Sequence, residues 1–338
     1  FLNFIEPTEG EARIDGIVTH TDPQGGKLRA EKGILAPRFV YPYVLDASRN
    51  VITGRPFTNS ESDSMLLADF KQKIEALNIE PAEQLELLER AEQALAESVG
   101  PAYRALIATV EDLQSRATDD DGAWKFPDGE AFYQQALKRT TTTDLTADEI
   151  HQLGLDEVAR IHEEMRAIME QVEFAGSLNE FFQYMRTDPQ FSYEDTEAGR
   201  AQYLAAAEQL IRDMEADLDQ VFISKPKAPL RVKAVERFRE KSAGKAFYER
   251  PSPDGSRPGT YYANLYSMAD MPTYQIEALA YHEGIPGHHL QISVAQELKG
   301  IPSFRRFGGY TAYVEGWGLY SELLPKELGR YQNPYSDF

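Results

Sequence analysis

Cysteine is absent from this chain. That excludes disulfides, thiolate zinc clusters and a cysteine nucleophile, so any bound metal must be held by nitrogen and oxygen ligands. A basic excess is missing as well. The 35 Lys and Arg stand against 55 Asp and Glu, for a formal net charge of -20, which repels phosphate backbones and anionic surfaces; no nucleic-acid partner is expected. No run approaches the roughly 18 to 20 consecutive apolar residues of a membrane span, so no span is expected either. The opening "FLNFIEPTEGEARIDG" has neither the basic start nor the long apolar run of a signal peptide. A mature exported chain, periplasmic or lipid-anchored, would read the same way, and localisation stays open.

What is present is a chain of 338 residues, 42% of them hydrophobic, which is enough to bury a substantial core. Residues 1–60 are rich in Gly, Pro, Asn and Asp, and "APRFVYPYVLD" reads as an extended or irregular lead-in. Helical patterns follow over residues 61–228. "EPAEQLELLERAEQALAESV" places Pro81 in a first turn and repeats Leu85, Leu88, Ala91 and Leu95 at three- and four-residue spacing, the signature of a core-facing helix. "TADEIHQLGLDEVARIHEEMRAIMEQV" begins with the capping-box pair Thr146 and Glu149 ahead of Ile150, Leu153, Val158, Ile161, Met165 and Val172. "AQYLAAAEQLIRDMEADLDQVF" is a third long helix by the same criterion. In residues 229–338, "LRVKAVE" and "GTYYANLY" read as strands, bounded by Pro or Gly. The expected fold is mainly α, with a small antiparallel sheet just ahead of the stretch that carries the chemistry.

That stretch is "YHEGIPGHHLQ", which holds three of the six histidines next to Glu283. In the His-Glu-x-x-His zinc motif, two histidines one turn apart face one ion, and the glutamate moves the proton of the attacking water. Here the position one turn after His282 is Pro286. "PTYQIEALAYHEG" carries Ile276, Leu279 and Ala280 at helical spacing, so His282 and Glu283 should end a helix that enters the core. Pro286 offers no N–H to the carbonyl of His282, and Gly284 and Gly287 tolerate unusual dihedrals, so the segment should bulge. An undistorted helix would carry His288 about 120° away from His282 and put His289 on nearly the same face about 10 Å further on. A two-residue bulge would instead bring His288 to the place of the second histidine. His288 is therefore the favoured second ligand and His289 its alternative.

A catalytic zinc commonly takes three protein ligands and keeps one position for water. "GGYTAYVEGWGLYSELL" offers Glu315, Leu319 and Glu322 at helical spacing, with Tyr310, Tyr313 and Tyr320 nearby. Glu315 is the expected third ligand because it begins this apolar helix; Glu322 and Glu297 are rivals, and Glu322 could instead orient a ligand. Glu277 could orient a ligand ring or be an ordinary helix residue. Tyr310 or Tyr313 could donate to an oxyanion, and Arg305 or Arg306 could bind a carboxylate. The "GTYYANLY" strand, with Tyr261 and Tyr262, could accept an extended peptide by strand addition.

"AYHEGIPGHHLQ" and "YVEGWGLYSE", supported by "RTTTTDLTADEIHQLGLDEVARI" and "GTYYANLY", resemble a bacterial family catalogued as domain of unknown function 885, over most of the chain from about residue 30. Its members look like metallopeptidases of the His-Glu zinc class with a glutamate as third ligand. The resemblance implies His282, His288 or His289, and Glu315 as metal ligands, Glu283 as base, and two helical lobes flanking a deep cleft. Relatives typically continue past the Glu-Gly-Trp helix into an Arg-rich segment and an Asp-Thr-Gly-Ile-His motif, whereas this chain stops at "YQNPYSDF"; a closing part of the cleft is expected to be missing. The reading is a zinc-dependent hydrolase acting on peptide bonds. A metal-dependent amidase for modified amino acids, or a helical binding protein with a structural metal, are the alternatives.

Overall fold

The computed structural model describes residues 28–237, 239–241 and 243–338; the first part of the expected lead-in and the opening stretch lie outside them. The described residues fall into two compact units, divided between Phe132 and Tyr133.

The described part of the first unit is mainly helical. Helix α1 (Tyr41–Val51) occupies part of the segment expected to be extended. The two prolines of "APRFVYPYVLD" suggest breaks, but Pro42 sits in the first turn, where its missing N–H leaves no intrahelical bond unmade. Tyr41, Leu45, Ser48 and Val51 then fall on one buried face. Tyr41 and Leu45 pack with Val110 of α4 (Gly100–Arg116); α2 (Met65–Glu75) and α3 (Pro81–Ala94) lie between them in the chain. Helix α3 starts at Pro81 as expected, yet Leu85 is exposed and no α3 residue is fully buried.

The second unit carries the site. Helix α5 (Ala147–Gln171) starts at the expected capping box: Glu149 N donates to Thr146 Oγ1 at 3.2 Å, and Thr146 N donates to Glu149 Oε2 at 2.8 Å. Its apolar stripe is only partly covered, since Leu153, Val158 and Ile161 are exposed while Ile168 and Met169 are buried. Helix α6 (Leu178–Thr187) adds Phe181 and Met185 to a cluster with Met169 and Phe191. Helix α7 (Glu197–Asp217) buries Tyr203, Ala207, Ile211 and Met214, a regular helical stripe. These four join Tyr261, Ala263, Ile276, Ala280, Tyr281, Ile285 and Leu290 in one core, which lies directly behind the His-Glu segment.

The sheet corrects the antiparallel expectation. Strands β1 (Leu230–Ala234), β2 (Ala246–Glu249) and β3 (Gly259–Ala263) run in the order β1-β3-β2. β1 pairs parallel with β3, and β2 pairs antiparallel with it. Two strands flanked by Pro and Gly fit a simple hairpin, and the short "AFYE" strand gave no separate signal. All of β3 is buried, which suits a central strand with neighbours on both sides. Among the described residues no helix is long and apolar enough to cross a membrane.

Candidate metal centre

Helix α8 (Ile276–Leu279) runs into a π-helical turn over Ala280–Gly284 that buries Ala280, Tyr281, Glu283 and Gly284. The chain then leaves the helix: Ile285 is extended, and helix α9 (His288–Glu297) restarts immediately after Gly287. Glycine is required at 287 by close approach. A Cβ there would lie 1.9 Å from the carbonyl oxygen of His282 and 2.3 Å from that of Tyr281. Gly287 N instead donates to Tyr281 O at 2.9 Å, closing the loop that Pro286 opens.

The result of the break is a pair of imidazoles. The rings of His282 and His288 stand with centroids 4.7 Å apart at 84°. Helix α10 (Thr311–Glu327) brings Glu315 to both, its Oε2 lying 3.5 Å from His282 Nε2 and 3.7 Å from His288 Nε2. One potential ligand atom from each of the three residues lies within 4.8 Å of the others. Gly318 permits this approach, because a Cβ at that position would come 2.6 Å from His282 Cε1. Trp317 Nε1 donates to Pro286 O at 2.9 Å and ties α10 to the helix break. A Gly inside a helical pattern is a signal for such close packing; of the two in "EGWGLY" it is Gly318, not Gly316, that meets a neighbour.

Glu322 completes the arrangement, its Oε1 lying 2.7 Å from His282 Nδ1. A carboxylate accepts, so the ring proton sits on Nδ1 and the Nε2 lone pair is turned to the cluster. The same hydrogen bond holds the His282 pKa above its ordinary value. His288 moves the other way, pushed down by burial and then by the His282 charge, which favours the neutral ring that a metal requires. Glu283 is only 7% exposed. Burial raises its carboxyl to about 7, the charges of Glu315 and Glu322 push it in the same direction, and His282 opposes them.

Two imidazoles, each neutral once its Nε2 lone pair faces an ion, and one carboxylate are a donor set suited to zinc, and for metal–ligand bonds of about 2.0 Å tetrahedral ligand atoms lie about 3.3 Å apart. The observed 3.5 and 3.7 Å separations are close to that. The Glu315 carboxylate thus already stands near ligand spacing from both rings.

His289 lies elsewhere. Its Nε2 is 3.0 Å from Ala228 O and its Nδ1 is 3.0 Å from Tyr248 Oη, so the ring pins α9 to the sheet. Glu297 accepts from Lys227 N, and Glu277 accepts from Tyr281 Oη and Tyr331 N rather than from a histidine ring. Tyr310 and Tyr313 are 63% and 64% exposed, and the backbone oxygen of Tyr313 accepts from Gln291 Nε2. Arg305 is exposed over the Phe304 ring. Tyr261 is fully buried in the core and Tyr262 nearly so. Because β3 is the central strand, neither of its edges is open to an added peptide. Tyr248 was not legible as a site neighbour, since its strand carried no signal of its own.

If Glu322 orients His282, Glu322→Ala should weaken zinc binding about 10- to 100-fold without removing any of the three converging side chains. Competition titration against a zinc-binding dye checks this; unchanged affinity would show that Glu322 is not needed to orient the ring.

Among solved structures, the crystal structure of the "putative lipoprotein from Colwellia psychrerythraea" is similar to this chain, with 32% sequence identity and a TM-score of 0.85. The likeness covers 93% of this chain and 54% of that one, so the chain spans about half the length of that relative. No curated protein matches. The profile of the family described as "Bacterial protein of unknown function (DUF885)" matches residues 11–338, nearly the whole chain, and the protein therefore belongs to that family.

Proposed function

We propose that this chain is a zinc-dependent hydrolase that cleaves peptide bonds. The observation that carries the reading is the convergence of His282, His288 and Glu315 from two segments of the chain, with the buried Glu283 beside them in sequence and its carboxyl raised to about 7. His282 Nε2, His288 Nε2 and Glu315 Oε2 would hold the ion. Zinc bound there supplies Lewis acidity and lowers the pKa of its water toward neutrality.

The other steps belong to the chain. A Glu283 carboxylate oxygen takes the proton of the attacking water and passes it to the leaving nitrogen as the C–N bond breaks. A group near 7 in the metal-free protein is suited to both directions of transfer, because it is held only moderately tightly in either state. Glu322 keeps the His282 ring in the tautomer that presents Nε2.

Protein purified without added metal should contain about one zinc per chain and should hydrolyse members of a mixed peptide library; a chelator should abolish the activity and added zinc restore it. Metal analysis with mass-spectrometric profiling of the digest checks this. Absence of zinc binding would remove the reading, and stoichiometric zinc with cleavage only of acyl amino acids would turn it into an amidase.

A further inference from the structure

One edge of the sheet lies beside the cluster, and the hydrogen-bond pattern shows which backbone groups it presents. Gly259 N donates to Pro229 O at 3.0 Å and Val235 N donates to Ala263 O at 2.9 Å, so the odd-numbered residues of β3 turn their N–H and C=O toward β1. Asn264 N donates to Lys245 O at 2.9 Å, on the opposite side. With Phe247 opposite Tyr262 and Glu249 opposite Thr260, Phe247 and Glu249 face β3. Ala246 and Tyr248 therefore direct their N–H and C=O outward, and among the described residues no hydrogen bond is made to these groups.

That edge is continuous with the site through one side chain. Tyr248 Oη bonds His289 Nδ1 at 3.0 Å, and the Tyr248 ring centroid is 6.4 Å from that of His288. Just past β2, Arg250 Nη1 donates to Phe307 O at 3.0 Å, tying the strand end to the segment that leads into α10 and Glu315. A strand added to β2 would run about 4.8 Å beyond it.

We propose that an extended peptide docks on the outer edge of β2 as a fourth strand, held by the main-chain groups of Ala246 and Tyr248 beside the His282–His288–Glu315 cluster. The inference rests on the peptidase reading and names how that substrate is held. Alternate peptide residues, two apart, exchange hydrogen bonds with Ala246 and Tyr248, while the residues between turn away. Recognition is then mostly of the main chain, which implies broad tolerance of side chains.

The test uses the whole chain in the presence of a chelator, so that no cleavage intervenes. A short fluorescein-labelled peptide of alternating alanine and valine is the probe, and affinity is read by fluorescence anisotropy. Single N-methyl groups moved along the peptide delete one N–H at a time. Affinity should fall about tenfold at alternate positions and little between them, the size expected for losing a hydrogen bond and adding a methyl clash. Ala246→Pro deletes an outward N–H from an edge strand, where proline is tolerated; it should fold normally by circular dichroism and bind about tenfold more weakly.

A flat N-methyl scan, wild-type affinity in the Ala246→Pro protein, or no binding of the unmodified peptide in the millimolar range would each overturn the proposal. Hydrolysis does not enter these readouts. Zinc-dependent cleavage with a flat scan removes only the docking edge, whereas a two-residue period without any cleavage removes only the peptidase reading.

Discussion

Replacing Glu283 by glutamine should lower kcat/KM for peptide hydrolysis by about a thousandfold or more while leaving the zinc content unchanged. The side chain is not among the three that converge on the candidate metal position. Glutamine has nearly the same shape but cannot accept the water proton, and positioned acid–base groups commonly contribute about 10² to 10⁴ in rate. Steady-state kinetics and metal analysis on the same preparation check both halves. A fully active glutamine variant would assign the base role elsewhere.

The same substitution has a second, pH-dependent signature in the metal-free protein. Burial raises Glu283 from 4.5 to about 7. The folded chain then holds this proton more tightly than the unfolded one, so the contribution to stability is fully present below the unfolded pKa and is lost as pH rises from about 4.5 to 7. The loss amounts to about 3 kcal/mol. Glutamine has no such proton to lose. Urea unfolding of chelator-treated protein should therefore show the variant gaining on wild type between pH 5 and pH 8. An equal pH dependence would mean that Glu283 does not titrate in this range.

His288→Ala should lose zinc affinity by about a thousandfold or more, as removal of a direct ligand exceeds the 10- to 100-fold typical of orienting partners. His289→Ala should keep the zinc. It should instead unfold more easily, by about 2–3 kcal/mol, because Ala228 O loses its partner and Tyr248 Oη keeps only a 3.5 Å contact to Ser293 Oγ, in a site where the ring is 1% exposed. Zinc titration and thermal melting separate the two effects. Metal loss in the His289 variant with retention in the His288 variant would reverse the assignment of the second histidine.

Much of the local structure was legible because its causes are local. The Thr146 and Glu149 capping box starts α5, the α7 stripe follows the 3.6-residue period, and Pro286 between two glycines interrupts the helix after Glu283. Reading α1 as irregular failed for an equally local reason, since a proline that starts a helix looks like one that breaks it until the first turn is located. The exposed Leu85, Leu153 and Val158 show the other limit. Periodicity marks an apolar face but says nothing about whether another element covers it.

By itself, the sequence determined that no thiolate can hold a metal, that a histidine pair and a glutamate lie at a broken helix, and that Glu315 and Glu322 share a later one. The sequence favoured His288 over His289, but only the tertiary structure brought His288 beside His282, set Glu315 against both rings while Glu322 accepts from Nδ1, and made β3 the central strand. The physical reason is range. Dihedral preferences and helical phase act over one or two turns, whereas the approach of α10 to His282 depends on Gly318 lacking a Cβ and on Trp317 reaching Pro286. Residues some 30 positions apart meet at those contacts, and packing rather than local propensity sets their distance.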